Sequence, residues 1–120
     1  MKYLVDLRVL MAYAFKEDIN HQHAEAFFNF AEKEKAEIFA DTSIIFEAEA
    51  VWLAEKVDAL LEEWISFISD IITTPILGKI EINKEVYDNH VKLYKRYGGK
   101  LTYFDSFHAA AAIVTGYPLI

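Results

Sequence analysis

Apolar residues along this chain recur with two different periods, and the switches between them mark out short strands separated by helices. Tyr3-Leu4-Val5 is an apolar run closed by Asp6, which reads as a buried strand whose carboxyl end carries an acid. Val9 to Phe15 then predicts a short apolar helix. Asn20 is a suitable N-cap for the next helix, in which Ala24, Phe27, Phe28 and Ala31 fall at i, i+3, i+4 and i+7 before the charged run Glu32-Lys33-Glu34-Lys35. Glu37 to Ala40 predicts a second strand, followed by Asp41-Thr42-Ser43, a cluster of N-capping residue types. From Ser43 to about Ile72 the apolar residues Phe46, Val57, Leu60, Leu61, Trp64, Ile65 and Ile68 keep helical spacing, with a break predicted near Asp58.

Thr74-Pro75 stops that region. Lys79 to Asn83 alternates and predicts a third strand, and Val86, His90, Val91, Tyr94 and Tyr97 mark a helix closed by Gly98-Gly99. A last helix runs from about Asp105 to Thr115, with Gly116 as its C-cap and Pro118-Leu119-Ile120 as the first residues of a fourth strand. Short strands alternating with helices give an α/β class: a mostly parallel sheet with helices on both faces, in one domain over 1–120. In such sheets the functional crevice lies outside the carboxyl ends of the strands.

Composition narrows the picture. With 54% hydrophobic and 26% charged residues the chain is far from the disordered regime, and 120 residues make about one core. The formal net charge of −7 argues against a broad basic footprint, although local basic clusters remain open. The absence of cysteine removes disulfides, zinc thiolates, iron–sulfur clusters and thiol catalysis. The start meets Asp6 too early for a signal peptide, and no apolar run approaches the ~20 residues a membrane helix needs. A cytoplasmic protein with no membrane partner is the expectation.

Three acids stand in apolar surroundings, where an unpaired carboxylate is costly. Asp6 ends the first strand, Glu49 lies between Phe46 and Leu53 on the apolar stripe of its helix, and Asp105 opens the last helix. A carboxylate cluster is a natural cage for a hard cation such as Mg²⁺ or Mn²⁺. Each acid also has a plainer reading: Asp6 as a helix cap, Glu49 as a solvent-facing residue, Asp105 as an N-cap beside Ser106. Glu47 is the rival to Glu49, because helix residues two apart point to different faces. His21 and His23 read as surface residues, since an H-x-H pair diverges on a helix. His108 suits a core role or substrate contact equally. Lys92, Lys95 and Arg96 share one helical face with Lys100 beyond, which is either a solvated face or the best local patch for a phosphate backbone.

Taken together, Tyr3-Leu4-Val5-Asp6 through Val9-Leu10, Ser43 through Leu53, and Phe104-Asp105-Ser106-Phe107-His108-Ala109-Ala110 through Gly116-Tyr117-Pro118-Leu119-Ile120 resemble the PIN domain family, and most of all the prokaryotic VapC-type toxins. The last segment is the most specific. The resemblance implies a PIN-like three-layer sandwich and a metal-dependent endoribonuclease that hydrolyses RNA with Mg²⁺ or Mn²⁺. On it, Asp6, Glu49 and Asp105 match the family's first three acids, as metal ligands and catalytic residues, with Glu47 as the alternative second acid. Arg8, Lys100 and His108 are then the residues offered to the RNA substrate. It also implies a homodimer and a small cognate antitoxin covering the cleft.

The chain departs from the family pattern twice. Leu7 and Arg8 follow Asp6 where a small hydroxyl residue and Asn or Ser are usual, so Arg8 is in reach of the same carboxylates. The family's fourth acid would fall after Ile120, which leads to the expectation that the C-terminal part is missing. The competing function is a degenerate, non-catalytic PIN domain that serves as a binding or assembly module.

Overall fold

In the computed structural model, which describes residues 1–54 and 59–120, the strands β1 (Lys2–Leu4), β2 (Glu37–Asp41) and β3 (Leu77–Ile80) form a parallel sheet in the order β1-β2-β3. Register pairs Leu4 with Phe39, Phe39 with Gly78 and Asp41 with Ile80. Between and after the strands lie α1 (Leu7–Ala14), α2 (His21–Lys33), α3 (Ile44–Leu53), α4 (Leu61–Thr73), α5 (Lys84–Tyr97) and α6 (Tyr103–Thr115). The predicted break near Asp58, and Val57 with it, falls outside the described residues. Residues Pro118 to Ile120 begin pairing on the free edge of β1: Leu4 N–H donates to Pro118 O and Ile120 N–H to Leu4 O, both at 2.8 Å.

Alternation along the strands distributes two cores. Val5, Ile38, Ala40 and Leu77 face one side, where α1, α3 and α4 contribute Leu10, Ile44, Ala48, Trp64 and Phe67. Leu4, Phe39 and Ile80 face the other, packing with Val86 of α5 and Ala110 and Ala111 of α6. Side chains at i and i+1 of a strand point to opposite faces, so a sheet covered on both sides needs consecutive apolar residues in its middle, as Tyr3-Leu4 and Ile38-Phe39-Ala40 supply, with the charged Lys2, Glu37 and Asp41 at the strand ends. No described helix is long and apolar enough to cross a membrane.

Caps set where the helices begin. Asp6 accepts from Val9 N–H (3.1 Å), starting α1 at Leu7 rather than Val9. Thr102 accepts from Asp105 N–H (3.1 Å), starting α6 at Tyr103. Gly116 closes α6 in the left-handed region (φ 74°), a conformation that favours glycine. The third strand starts two residues earlier than its alternation suggested, because Gly78 lies under the Phe39 ring, where an added Cβ would come within 2.4 Å of that ring.

Candidate functional site

Parallel strands bring their carboxyl ends to one edge of the sheet, and two acids stand there. Asp6 follows β1 and is half-buried; Asp41 is the last residue of β2 and wholly buried. Asp6 spends one oxygen as the α1 cap, while Arg8 Nε lies 3.8 Å from the other with its own side chain largely in solvent. At that distance a guanidinium that is itself exposed is weakly coupled to the carboxylate. Arg8 therefore does not fill the crevice.

Asp41 anchors a charged chain through the interior. Its Oδ1 accepts from both the backbone N–H and the hydroxyl of Ser43. Its Oδ2 meets His108 Nδ1, and His108 Nε2 on the far side of the ring donates to Glu47 Oε1 at 2.8 Å. Ionised carboxylates only accept, so a ring with a carboxylate at each nitrogen is doubly protonated. Burial opposes that charge, but the hydrogen bonds to Asp41 and Glu47, with their negative charges, outweigh it and hold the His108 pKa up at about 10. The chain ties together the end of β2, α3 and α6. Because His108 is 1% exposed, it packs the interior rather than presenting itself to a substrate, as the substrate role expected for it would require.

The remaining expected residues are distributed differently. Glu49 is exposed and borders a groove with Ile45, Trp52, Trp64 and Ile65, so it faces α4 and solvent rather than the edge that carries Asp41. Glu47 holds the inward position. Asp105, half-buried in the first turn of α6, stands one turn before His108 on the same helix face, the face turned toward Asp41 and Glu47. Lys100 is exposed in the turn between α5 and α6. Sequence reasoning missed Asp41 by treating it as a capping residue. The signal was the one used for Asp6: an acid closing a buried strand.

Among the described residues no group of three His, Asp or Glu side chains is arranged to hold a metal ion. The bonding explains it. Asp41 and Glu47 share the His108 cation, Asp6 is a helix cap, and Glu49 points elsewhere. The oxygen-only donor types suit a hard cation, but the arrangement does not fit a preformed three-carboxylate cage for Mg²⁺ or Mn²⁺.

No protein-family model and no curated protein matches this sequence. Among solved structures the chain is similar to VapC20 of Mycobacterium tuberculosis, a toxin that cleaves the sarcin-ricin loop, with a TM-score of 0.75 over 96% of this chain and 84% of that one at 11% identity. It is also similar to a chain of VapBC2 from Rickettsia felis, a structure bound to a DNA fragment from their promoter, with a TM-score of 0.67 over 99% of this chain and 86% of that one at 18% identity. The chain has the PIN fold of the VapC toxins. At such identities the VapC likeness speaks for the fold. The edge of this VapC-like sheet carries Asp6, Asp41, Glu47, Asp105 and His108, and a shared fold does not by itself fix their chemistry.

Proposed function

We propose that this chain is an endoribonuclease of the VapC type, hydrolysing RNA phosphodiester bonds at the carboxyl edge of its sheet. The observation that supports this best is the whole-chain fold likeness to a toxin that cleaves an RNA loop. Asp6 and Asp105 are the acids offered to the reaction, and Glu47 replaces Glu49 as the second. Oxygen-only donors of this kind make Mg²⁺ and Mn²⁺ the cations to test. A small antitoxin protein and a second copy of the chain are the proposed protein partners, the first by analogy with the paired VapBC2 structure.

A second reading, a non-catalytic PIN module, draws support from the engagement of Asp6 by α1 and of Glu47 by His108. Incubating the protein with structured and unstructured RNA in Mn²⁺, Mg²⁺ or EDTA, and reading the products on a gel, separates the two. Cleavage that Asp105→Asn and Asp6→Asn abolish is the expected result, and the EDTA arm reads whether a cation takes part. RNA left intact under all three conditions refutes the nuclease and leaves the module.

A further inference from the structure

Asp41 and Glu47 depend on a single partner to balance their charges. Asp41 is wholly buried, Ser43 beside it is buried too, and the Glu47 side chain keeps only 15% of its surface in solvent. Among the described residues no Lys or Arg is paired with either carboxylate: Arg8 faces Asp6, Lys84 faces Asp88, and Lys79 Nζ donates to the backbone oxygen of Leu77. His108 stands between the two acids, bonded to Asp41 through Nδ1 and to Glu47 through Nε2.

Each carboxylate is held from its own element, so the fold fixes the place of the cation. The backbone N–H of Ser43 (3.1 Å) and its hydroxyl hold Oδ1 of Asp41 at the end of β2, which leaves Oδ2 for α6. Glu47, in the first turn of α3, brings Oε1 to 2.8 Å from the opposite edge of the ring. Carboxylate oxygens are the ligands that hard divalent cations prefer, and here an organic cation tethered to α6 already engages them. A metal ion approaching Glu47 either displaces that bond or shares the carboxylate with a second positive centre, which repels it. Asp41 has no surface in solvent through which an ion could reach it.

We infer that His108 is a tethered cation competing with divalent metal ions for Asp41 and Glu47, so that removing its ring turns the place between the two carboxylates into a site for such an ion. The inference goes beyond the nuclease reading and holds with or without cleavage, since it concerns bonds made within the fold.

The test is thermal unfolding of the full chain with and without about 10 mM MnCl₂, with KCl at equal ionic strength as the control for screening. His108→Ala leaves two carboxylates without a cation and should lower the midpoint by roughly 10–20 °C. MnCl₂ should then raise the variant by roughly 5 °C more than it raises wild type, the shift expected of an ion present at about ten times its Kd. Electron paramagnetic resonance of free Mn²⁺ should show more of the ion bound by the variant than by wild type. Imidazole, protonated at about pH 6, should enter the same place, restore part of the lost stability and reduce the gain from Mn²⁺. Adding Asp41→Asn and Glu47→Gln to His108→Ala should abolish that gain. Should His108→Ala not fold, His108→Gln, which keeps most of the side-chain volume, carries the same comparison. An equal Mn²⁺ response in wild type and variant overturns the inference, as does an extra gain that KCl reproduces or that survives the two amide substitutions. RNA left intact in the gel assay rejects the nuclease and leaves the tethered cation standing; cleavage by wild type with an equal Mn²⁺ response does the reverse.

Discussion

His108 carries a positive charge where solvent does not reach, and its consequences can be read through stability. Its folded-state pKa is raised from 6.5 to about 10, so the charged state contributes stability that is fully present below about pH 6.5 and is lost as pH rises through about 10. Denaturant titrations at pH 6, 8 and 10 should show unfolding free energy falling steadily across that window. His90 acts oppositely: burial lowers its pKa, so its contribution is present above its ordinary value and fades at acid pH. Substituting His108→Ala leaves Asp41, wholly buried, with a charge and no cation, which should cost roughly 3–5 kcal/mol and flatten the alkaline decline. A His108→Ala protein with wild-type stability would mean that the Asp41 to Glu47 chain is not a brace. A smaller effect belongs to Gly78. Alanine there would press on the Phe39 ring and should cost about 1–3 kcal/mol by thermal or chemical unfolding.

At the scale of the element, α3 decides which acid matters. Its buried stripe runs through Ile44 and Ala48, which sets Glu47 at the margin of the core and Glu49 on the far side. Glu47→Gln should lose a charge-assisted bond, worth roughly 1.5–3 kcal/mol, while Glu49→Gln should stay within about 0.5 kcal/mol of wild type in urea unfolding. The same pair separates in the RNA assay: Glu47→Gln is expected to impair cleavage, Glu49→Gln to leave it intact. Helical spacing favours Glu49 because it falls between Phe46 and Leu53, yet these two are 67% and 64% exposed. A helix apolar on several sides hides its own orientation, and periodicity cannot recover it. On the amphipathic helices the spacing finds part of the buried face: Ala24 and Ala31 on α2, Val86 and His90 on α5, whereas Val91, Tyr94 and Tyr97 of the same α5 pattern are exposed; glycine follows both α5 and α6. Asp6 and Asp105 were legible as acids at strand and helix ends. Asp41 was not, because its role depends on a histidine 67 residues away in the chain.

Across the whole molecule the two faces of α4 differ in what covers them. Trp64, Phe67 and Ile71 are buried on its inner face, with Phe15 stacked on Trp64. The outer face of the same helix is apolar as well: Leu61, Ile65 and Ile72 stand in solvent at i, i+4 and i+11, with Ile68 half-buried between them and Ile45 and Trp52 of α3 bordering the same groove. Contiguous exposed apolar surface of this kind is typical of protein interfaces. A homodimer through α4 would cover it with an identical stripe, an isologous contact that needs no second partner. Sedimentation equilibrium at micromolar concentration should therefore find a dimer. Ile65→Glu should shift it to monomer, since a charge placed at the centre of the stripe would be buried without a partner. Because Ile65 is exposed in the protomer, the same substitution should change unfolding of the monomer by no more than about 0.5 kcal/mol. A wild-type chain that sediments as a monomer, or an Ile65→Glu chain that remains a dimer, would rule out the outer face of α4 as the contact.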